Sequence, residues 1–209
     1  KEKKGQGEGN QVNTAGQEKC QIRPRFDCSL CQDSETFCSD RVLAFGYHTA
    51  LLHPTDAIDR LHCRIAPREH VESTTKCDAA TMNEVRNHKK CLIRWYASID
   101  CTPVFIEFLR RVDDHRQHAV IECFGVPRSL DIDPEVFIRR ELAEVESYWA
   151  QHRAVIEVGD GGLARALPSR RQFPFVHVDF WLGERGVVHV IEDDRRFPRD
   201  WATGVMRRL

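Results

Sequence analysis

A chain of 209 residues, 41% hydrophobic and 30% charged, carries enough apolar material for one sizeable core or two small ones. No apolar run reaches the roughly 18 residues of a membrane-spanning helix. Lys and Arg total 31 against 32 Asp and Glu, a net charge of -1 that names no partner, although 24 of the cations are arginine, the better phosphate fork. Coding bias accounts for that excess equally well.

The first residue is Lys1 rather than Met, as expected of the C-terminal piece of a longer protein. Residues 1–25 hold two aliphatics, Val12 and Ile22, and no aromatic, so they are expected to be a disordered or partner-ordered tail. From Arg41 the texture changes. Arg41–Ala44 and Tyr47–Leu52 predict a hairpin around Gly46, and Leu61–Ala66 a third strand closed by Pro67. Asp78 reads as an N-cap. Met82, Val85, Leu92, Ile93 and Tyr96 then recur at helical spacing to about Ile99. Val104–Leu109 and His118–Val126 predict two further strands joined by the charged turn 110–117. The order β-β-β-α-β-β fits an α+β domain over 26–127, an antiparallel sheet with one main helix.

After Pro127 a second, smaller α+β half is expected over 128–209, packed on the first. Asp133-Pro134 opens a helix whose apolar face carries Ile138, Leu142, Val145 and Trp149. Phe173–Leu182 and Gly186–Glu192 flank Gly183-Glu-Arg-Gly186 as a β-hairpin, and a short helix follows Pro198.

Nine cysteines, an odd number scattered mostly singly, argue for a reducing compartment with most thiols acting as small buried apolar groups. Cys28-Ser-Leu-Cys31 is the exception. Two thiolates on a tight turn can hold half of a tetrahedral zinc site. A thioredoxin-like pair should follow a strand and open a helix, and the polar flanks here fit that poorly. Two idle thiols remain an alternative. His70, at the end of Pro67-Arg-Glu-His70, and His118, entering a strand, are placed where they could complete a metal site. His48, His53, His88, His115 and His152 read as solvated surface imidazoles.

Leu61-His-Cys-Arg-Ile-Ala-Pro67-Arg-Glu-His70 followed by His118-Ala-Val120-Ile-Glu122 resembles the layout of the histidine-triad (HIT) superfamily. In its zinc-bearing branch the metal is held by Cys-x-x-C, the His of Pro-x-x-His and the first triad His. Carried over, those are Cys28, Cys31, His70 and His118. The resemblance narrows with His118-x-Val-x-Glu-Cys-x-x-x-Pro127, Phe173-Pro-Phe-Val-His-Val-Asp-Phe180 and His189-Val-Ile-Glu-Asp193 followed by Arg-Arg-Phe197-Pro198. These are similar to the two-part C-terminal module of the Cwf-nineteen-like pre-mRNA splicing factors, over about residues 26–209.

That resemblance implies a HIT-like fold with a Zn²⁺ Cys2His2 site, a nuclear location, and action late, in the intron lariat spliceosome. Its implied partners are spliceosomal proteins, snRNA and intron lariat RNA, with no membrane and no small-molecule substrate. It also bears on catalysis. The HIT nucleophile is the middle histidine, and this chain has Val120 there, which carries no lone pair for attack on phosphorus. Glu122, at the third triad position, would repel a phosphate. The expectation is a non-catalytic scaffold. The alternative is a HIT-type nucleotide or RNA-end phosphohydrolase with a relocated histidine, His62 or His189. His177 and His189 read first as histidines hydrogen-bonded in a sheet or interface. Arg110, Arg111 and Arg116 before the triad strand, and Arg165, Arg170 and Arg171 near Phe173 and Phe175, are candidate RNA-binding cations.

Overall fold

A computed structural model describes residues 27–145, 155–159, 162–167, 173–183 and 185–209. The tail 1–25, with Cys20, and Trp149, His152, Arg170 and Arg171 lie outside the described residues. Among these residues eight strands and four α-helices follow one another as β1 (Val42–Phe45), β2 (Thr49–Leu52), β3 (Cys63–Pro67), α1 (Ala79–Ser98), β4 (Cys101–Leu109), β5 (Ile121–Pro127), α2 (Pro134–Val145), β6 (Ile156–Val158), α3 (Gly162–Ala166), β7 (Phe175–Trp181), β8 (Arg185–Val190) and α4 (Trp201–Arg208). No helix among the described residues is long and apolar enough to cross a membrane.

Local chemistry sets most of these boundaries. The β1–β2 turn closes with the Gly46 N–H donating to the Thr49 carbonyl at 2.8 Å. The Glu84 carboxylate of α1 accepts from the next two amides, Tyr47 at 2.7 Å and His48 at 2.6 Å. The Asp78 side chain caps α1 by accepting the Thr81 N–H at 2.8 Å. Asp100, in the left-handed region at φ 56°, then turns the chain into β4. Pro134 occupies the first turn of α2, where its missing N–H costs no bond.

All eight strands form a single antiparallel sheet in the order β1-β2-β3-β5-β4-β7-β8-β6. The second half therefore extends the first half's sheet, β7 pairing directly with β4. Strand alternation gives the sheet two buried faces. One packs Cys63, Ile65, Phe105, Ile121 and Cys123 against Val85, Leu92 and Tyr96 of α1. The other packs Val104, Ile106, Phe124, Val176, Val178 and Val187 against Ile138 and Leu142 of α2 and Trp201 and Val205 of α4.

The differences from expectation are informative. β5 begins at Ile121 rather than His118, because the Ala119 N–H bonds out of the ladder to the Val71 carbonyl at 2.6 Å. The short β6 and α3 lack a pattern long enough to stand out against their neighbours. Most cysteines were expected to be buried, and half of the eight described ones are. Cys63, Cys101 and Cys123 are buried, but Cys38 and Cys91 are exposed. Cys91, followed by Leu92 and Ile93, sits on the solvent side of α1, since only one stripe of a helix reaches the core.

Candidate metal centre

The Cys28–Cys31 loop folds as a turn, the Cys31 N–H donating to the Cys28 carbonyl at 3.2 Å, which points both sulfurs the same way. β3 delivers His70 just past its end, and the segment entering β5 delivers His118. One donor atom from each of the four side chains lies within 4.8 Å of every other. Cys31 Sγ stands 3.1 Å from His70 Nδ1 and 3.5 Å from His118 Nδ1, and Cys28 Sγ 3.5 Å from His118 Nδ1. Zn–S near 2.3 Å and Zn–N near 2.0 Å at tetrahedral angles put neighbouring S and N donors about 3.5 Å apart. The donor set fits that geometry closely.

The outer nitrogens are already committed. His70 Nε2–H donates to the His115 carbonyl at 2.9 Å, and His118 Nε2–H to the Pro67 carbonyl at 2.8 Å. Those bonds fix the tautomer that leaves both Nδ1 lone pairs facing the thiols, the usual second-layer support of a metal-bound histidine. The two rings meet nearly at right angles, 86°. Burial lowers the His118 pKa to about 4, keeping its imidazole neutral as a ligand must be. The four residues nominated from spacing are thus brought together as a site able to hold a metal ion.

Beside it lies a cavity of about 340 Å³ whose walls include His118, Val120, Glu122, Arg64, Arg199 and Thr203. Val120 presents an alkyl wall there. Glu122 does not stand as the bare repelling carboxylate expected from sequence. Arg64 Nε lies 2.8 Å from both its oxygens, and His62 Nε2–H donates to Oε2 at 2.7 Å. His62 is fully buried, stacked on Phe124 at 4.3 Å, and its Nδ1 accepts the Ile58 N–H. Arg64 is a functional neighbour that sequence reasoning missed. Its signal was register: Arg64 pairs directly across from Glu122 on adjacent strands.

The candidate RNA-binding arginines fare unevenly. Arg110 and Arg111 both ion-pair with Asp194, with Nε to Oδ1 and Oδ2 at 2.8 Å each, and the Arg111 side chain stays 61% exposed. Arg116 and Arg165 are exposed. The predicted surface histidines differ too: His48 and His115 are exposed, but His88 is half-buried with an Nε2 that has no hydrogen-bond partner among the described residues. His189 is buried and stacks on Phe197 at 5.7 Å. His177 is buried in the sheet, and its Nε2 has no hydrogen-bond partner among the described residues.

A family model described as "Protein similar to CwfJ C-terminal" matches residues 16–137. The chain belongs to the Cwf19-like family. It is 30% identical over 200 residues to "CWF19-like protein 2" of Danio rerio, covering 95% of this chain and 20% of that protein. It is 31% identical over 181 residues to a homologue of that protein in Caenorhabditis elegans, covering 86% and 38%. It is 28% identical over 179 residues to "Pre-mRNA-splicing factor cwf19" of Schizosaccharomyces pombe, covering 82% and 28%. The chain thus spans between about a fifth and two fifths of these Cwf19-like relatives. A solved hypothetical protein from Leishmania major aligns with 40% of the chain at 11% identity and a TM-score of 0.35, too loosely to assign a fold family.

Proposed function

We propose that this chain is a non-catalytic, nuclear part of a pre-mRNA splicing factor: a zinc-held, HIT-like scaffold that binds RNA and spliceosomal proteins late, in the intron lariat spliceosome. The splicing role is drawn from the names of its relatives, one of them a pre-mRNA-splicing factor. The observation that carries the non-catalytic reading is Val120 in the wall of the cavity beside the metal ligands, where a nucleophile would have to stand. His62, the nearest substitute, has both ring nitrogens engaged, so it offers no lone pair for attack. Zinc bound at Cys28, Cys31, His70 and His118 would tie the Cys-x-x-C loop to the ends of two strands. It would act as a crosslink and not as a Lewis acid, because four protein ligands leave no open position. Arg116, exposed, and Arg199, at the cavity rim, are the cations best placed to meet RNA phosphates.

Two assays test this reading. Purified chain incubated with dinucleoside polyphosphates and capped RNA is expected to show no turnover above a metal-free blank. A rate abolished by His189→Ala would overturn the non-catalytic reading in favour of a relocated catalytic histidine. Crosslinking in assembled spliceosomes is expected to map intron or snRNA to the Arg116 and Arg199 surface, and protein-only crosslinks there would remove the RNA role.

A further inference from the structure

The sheet face covered by α1 carries an unusual feature at its centre. In the β4–β7 register Glu107 stands opposite His177, and Phe105 opposite Asp179. From α1, Lys89 reaches down so that its Nζ donates to Asp179 Oδ2 at 2.7 Å and sits 5.0 Å from the Phe105 ring centre. Lys89, Glu107, His177 and Asp179 are all buried, on a face that otherwise packs cysteine, valine, isoleucine and phenylalanine. Apolar residues would fill that position at lower cost in desolvation. The four side chains line a cavity of about 290 Å³ whose remaining walls include Val85, Ile121, Leu163 and Leu182.

Most of the polar capacity around the cavity is spent. Glu107 accepts from the Ser73 hydroxyl at 3.0 Å, from the Thr74 N–H at 2.7 Å and from the Thr74 hydroxyl. Asp179 Oδ1 accepts the N–H groups of Trp181 and Gly183, both at 2.9 Å. Of the four buried side chains, two retain capacity. Lys89 uses one of its three N–H donors. His177 Nε2, on a side chain 8% exposed, has no partner among the described residues. Gly186 sits against that imidazole: a Cβ there would come within 3.4 Å of His177 Nε2 and 2.8 Å of the Val178 carbonyl oxygen. Burial and the nearby Lys89 charge hold the His177 pKa down to about 4, so the ring is neutral at pH 7 and its Nε2 can accept.

The charge balance restricts the ligand. Two carboxylates, Glu107 and Asp179, stand against two cations, Lys89 and Arg86, a balanced lining that suits an uncharged ligand better than a charged one. One spare donor and one spare acceptor complement a carbonyl beside an N–H. The volume falls at the lower end of the roughly 300–1,000 Å³ typical of ligand pockets, suiting a molecule of one or two rings.

We propose that this cavity binds a small uncharged lactam ring, the chemical class of uracil and guanine, with Lys89 donating to the ring carbonyl and His177 Nε2 accepting from the ring N–H. The ring can arrive as a free nucleoside or as an unstacked base of an RNA strand. The site lies on the sheet face opposite Val120 and includes none of the metal ligands, so it stands independently of the function proposed above.

The test is an NMR titration of the full 209-residue, zinc-loaded chain, following the His177 imidazole ¹⁵N signals and the Leu163 and Leu182 methyl groups. Uridine and guanosine are expected to shift these signals saturably at millimolar concentration or below. Cytidine and adenosine, which lack the lactam N–H, should bind at least 10-fold more weakly, and inorganic phosphate should leave the signals unmoved. An unpaired oligouridylate that shifts them at 10-fold lower concentration than uridine identifies an RNA base as the source, and equal potency identifies the free nucleoside. His177→Phe, checked for folding by its amide spectrum, should weaken uridine binding at least 10-fold, and Lys89→Met is the second variant should the first unfold. No saturable shift with either lactam at 10 mM, equal binding of all four nucleosides, or a response to phosphate alone would each overturn the proposal.

Discussion

At the scale of single residues, the metal centre and the Arg64–Glu122–His62 group differ in how openly they were written. Cys28, Cys31, His70 and His118 announce themselves because ligand chemistry admits few residue types and a two-residue spacing in the loop is itself a geometric statement. On the zinc-held reading proposed above, the chain carries one zinc, and Cys28→Ser is expected to lower that content to a small fraction, read by elemental analysis. Arg64 and Glu122 were legible only as charges. Their side chains are 19% and 13% exposed, so truncating Arg64 strands a largely buried carboxylate on His62. Arg64→Ala should destabilise the fold by about 3 kcal/mol in urea denaturation, within the range for breaking buried pairs. A loss below about 1 kcal/mol would mean that the pair is as weak as a solvated surface bridge. Arg110 and Arg111 teach the converse. A basic dipeptide in a polar turn reads only as local charge, and the fold alone shows that Asp194, 83 residues beyond Arg111, ion-pairs with both guanidinium groups.

At the scale of elements, α1 was the most readable part of the chain. Its cap, its apolar stripe and its length all lie within one continuous stretch, and the structure places it at Ala79–Ser98. Asp78→Ala removes the side-chain acceptor of the Thr81 N–H and should cost about 1 kcal/mol, measured by thermal or chemical unfolding. How α1 seats on the sheet depends on Gly125 of β5. A Cβ at that position would come within 2.5 Å of the Tyr96 ring, whose hydroxyl is itself tied to the Leu61 carbonyl at 2.8 Å. Gly125→Ala is therefore expected to destabilise by about 1–3 kcal/mol through overpacking, and a neutral effect would show that the α1 interface can shift. β6 and α3 escaped the sequence reading because three- and five-residue segments span too few periods to be distinguished from loop.

At the scale of the whole molecule, stability should depend on both metal and pH. Chelation of a structural zinc should cost several kcal/mol, because metal affinity of about 10 kcal/mol or more is coupled to folding, and it should lower the midpoint of thermal unfolding. His177 supplies a separate pH term. Its pKa is about 4 when folded and near 6.5 in the open chain, so the unfolded state binds the extra proton first on acidification. The stabilisation is therefore complete above pH 6.5 and is lost as pH falls toward and through 4, a total of about 3 kcal/mol. The stability difference between the chain and His177→Phe should shrink by about that amount between pH 7 and pH 4, and a constant difference would contradict it. What the amino-acid order alone determined was whatever is encoded within a few residues: caps, helical and alternating periods, the Cys-x-x-C turn and the motif that nominates its two histidines. Only the tertiary structure decided that β7 lies beside β4, and with it that Glu107 faces His177, that Lys89 finds Asp179, and that both halves share one sheet. Such pairings join segments far apart in the chain. Their register is set by how two apolar faces bury together, a property of the assembled core that no local pattern carries.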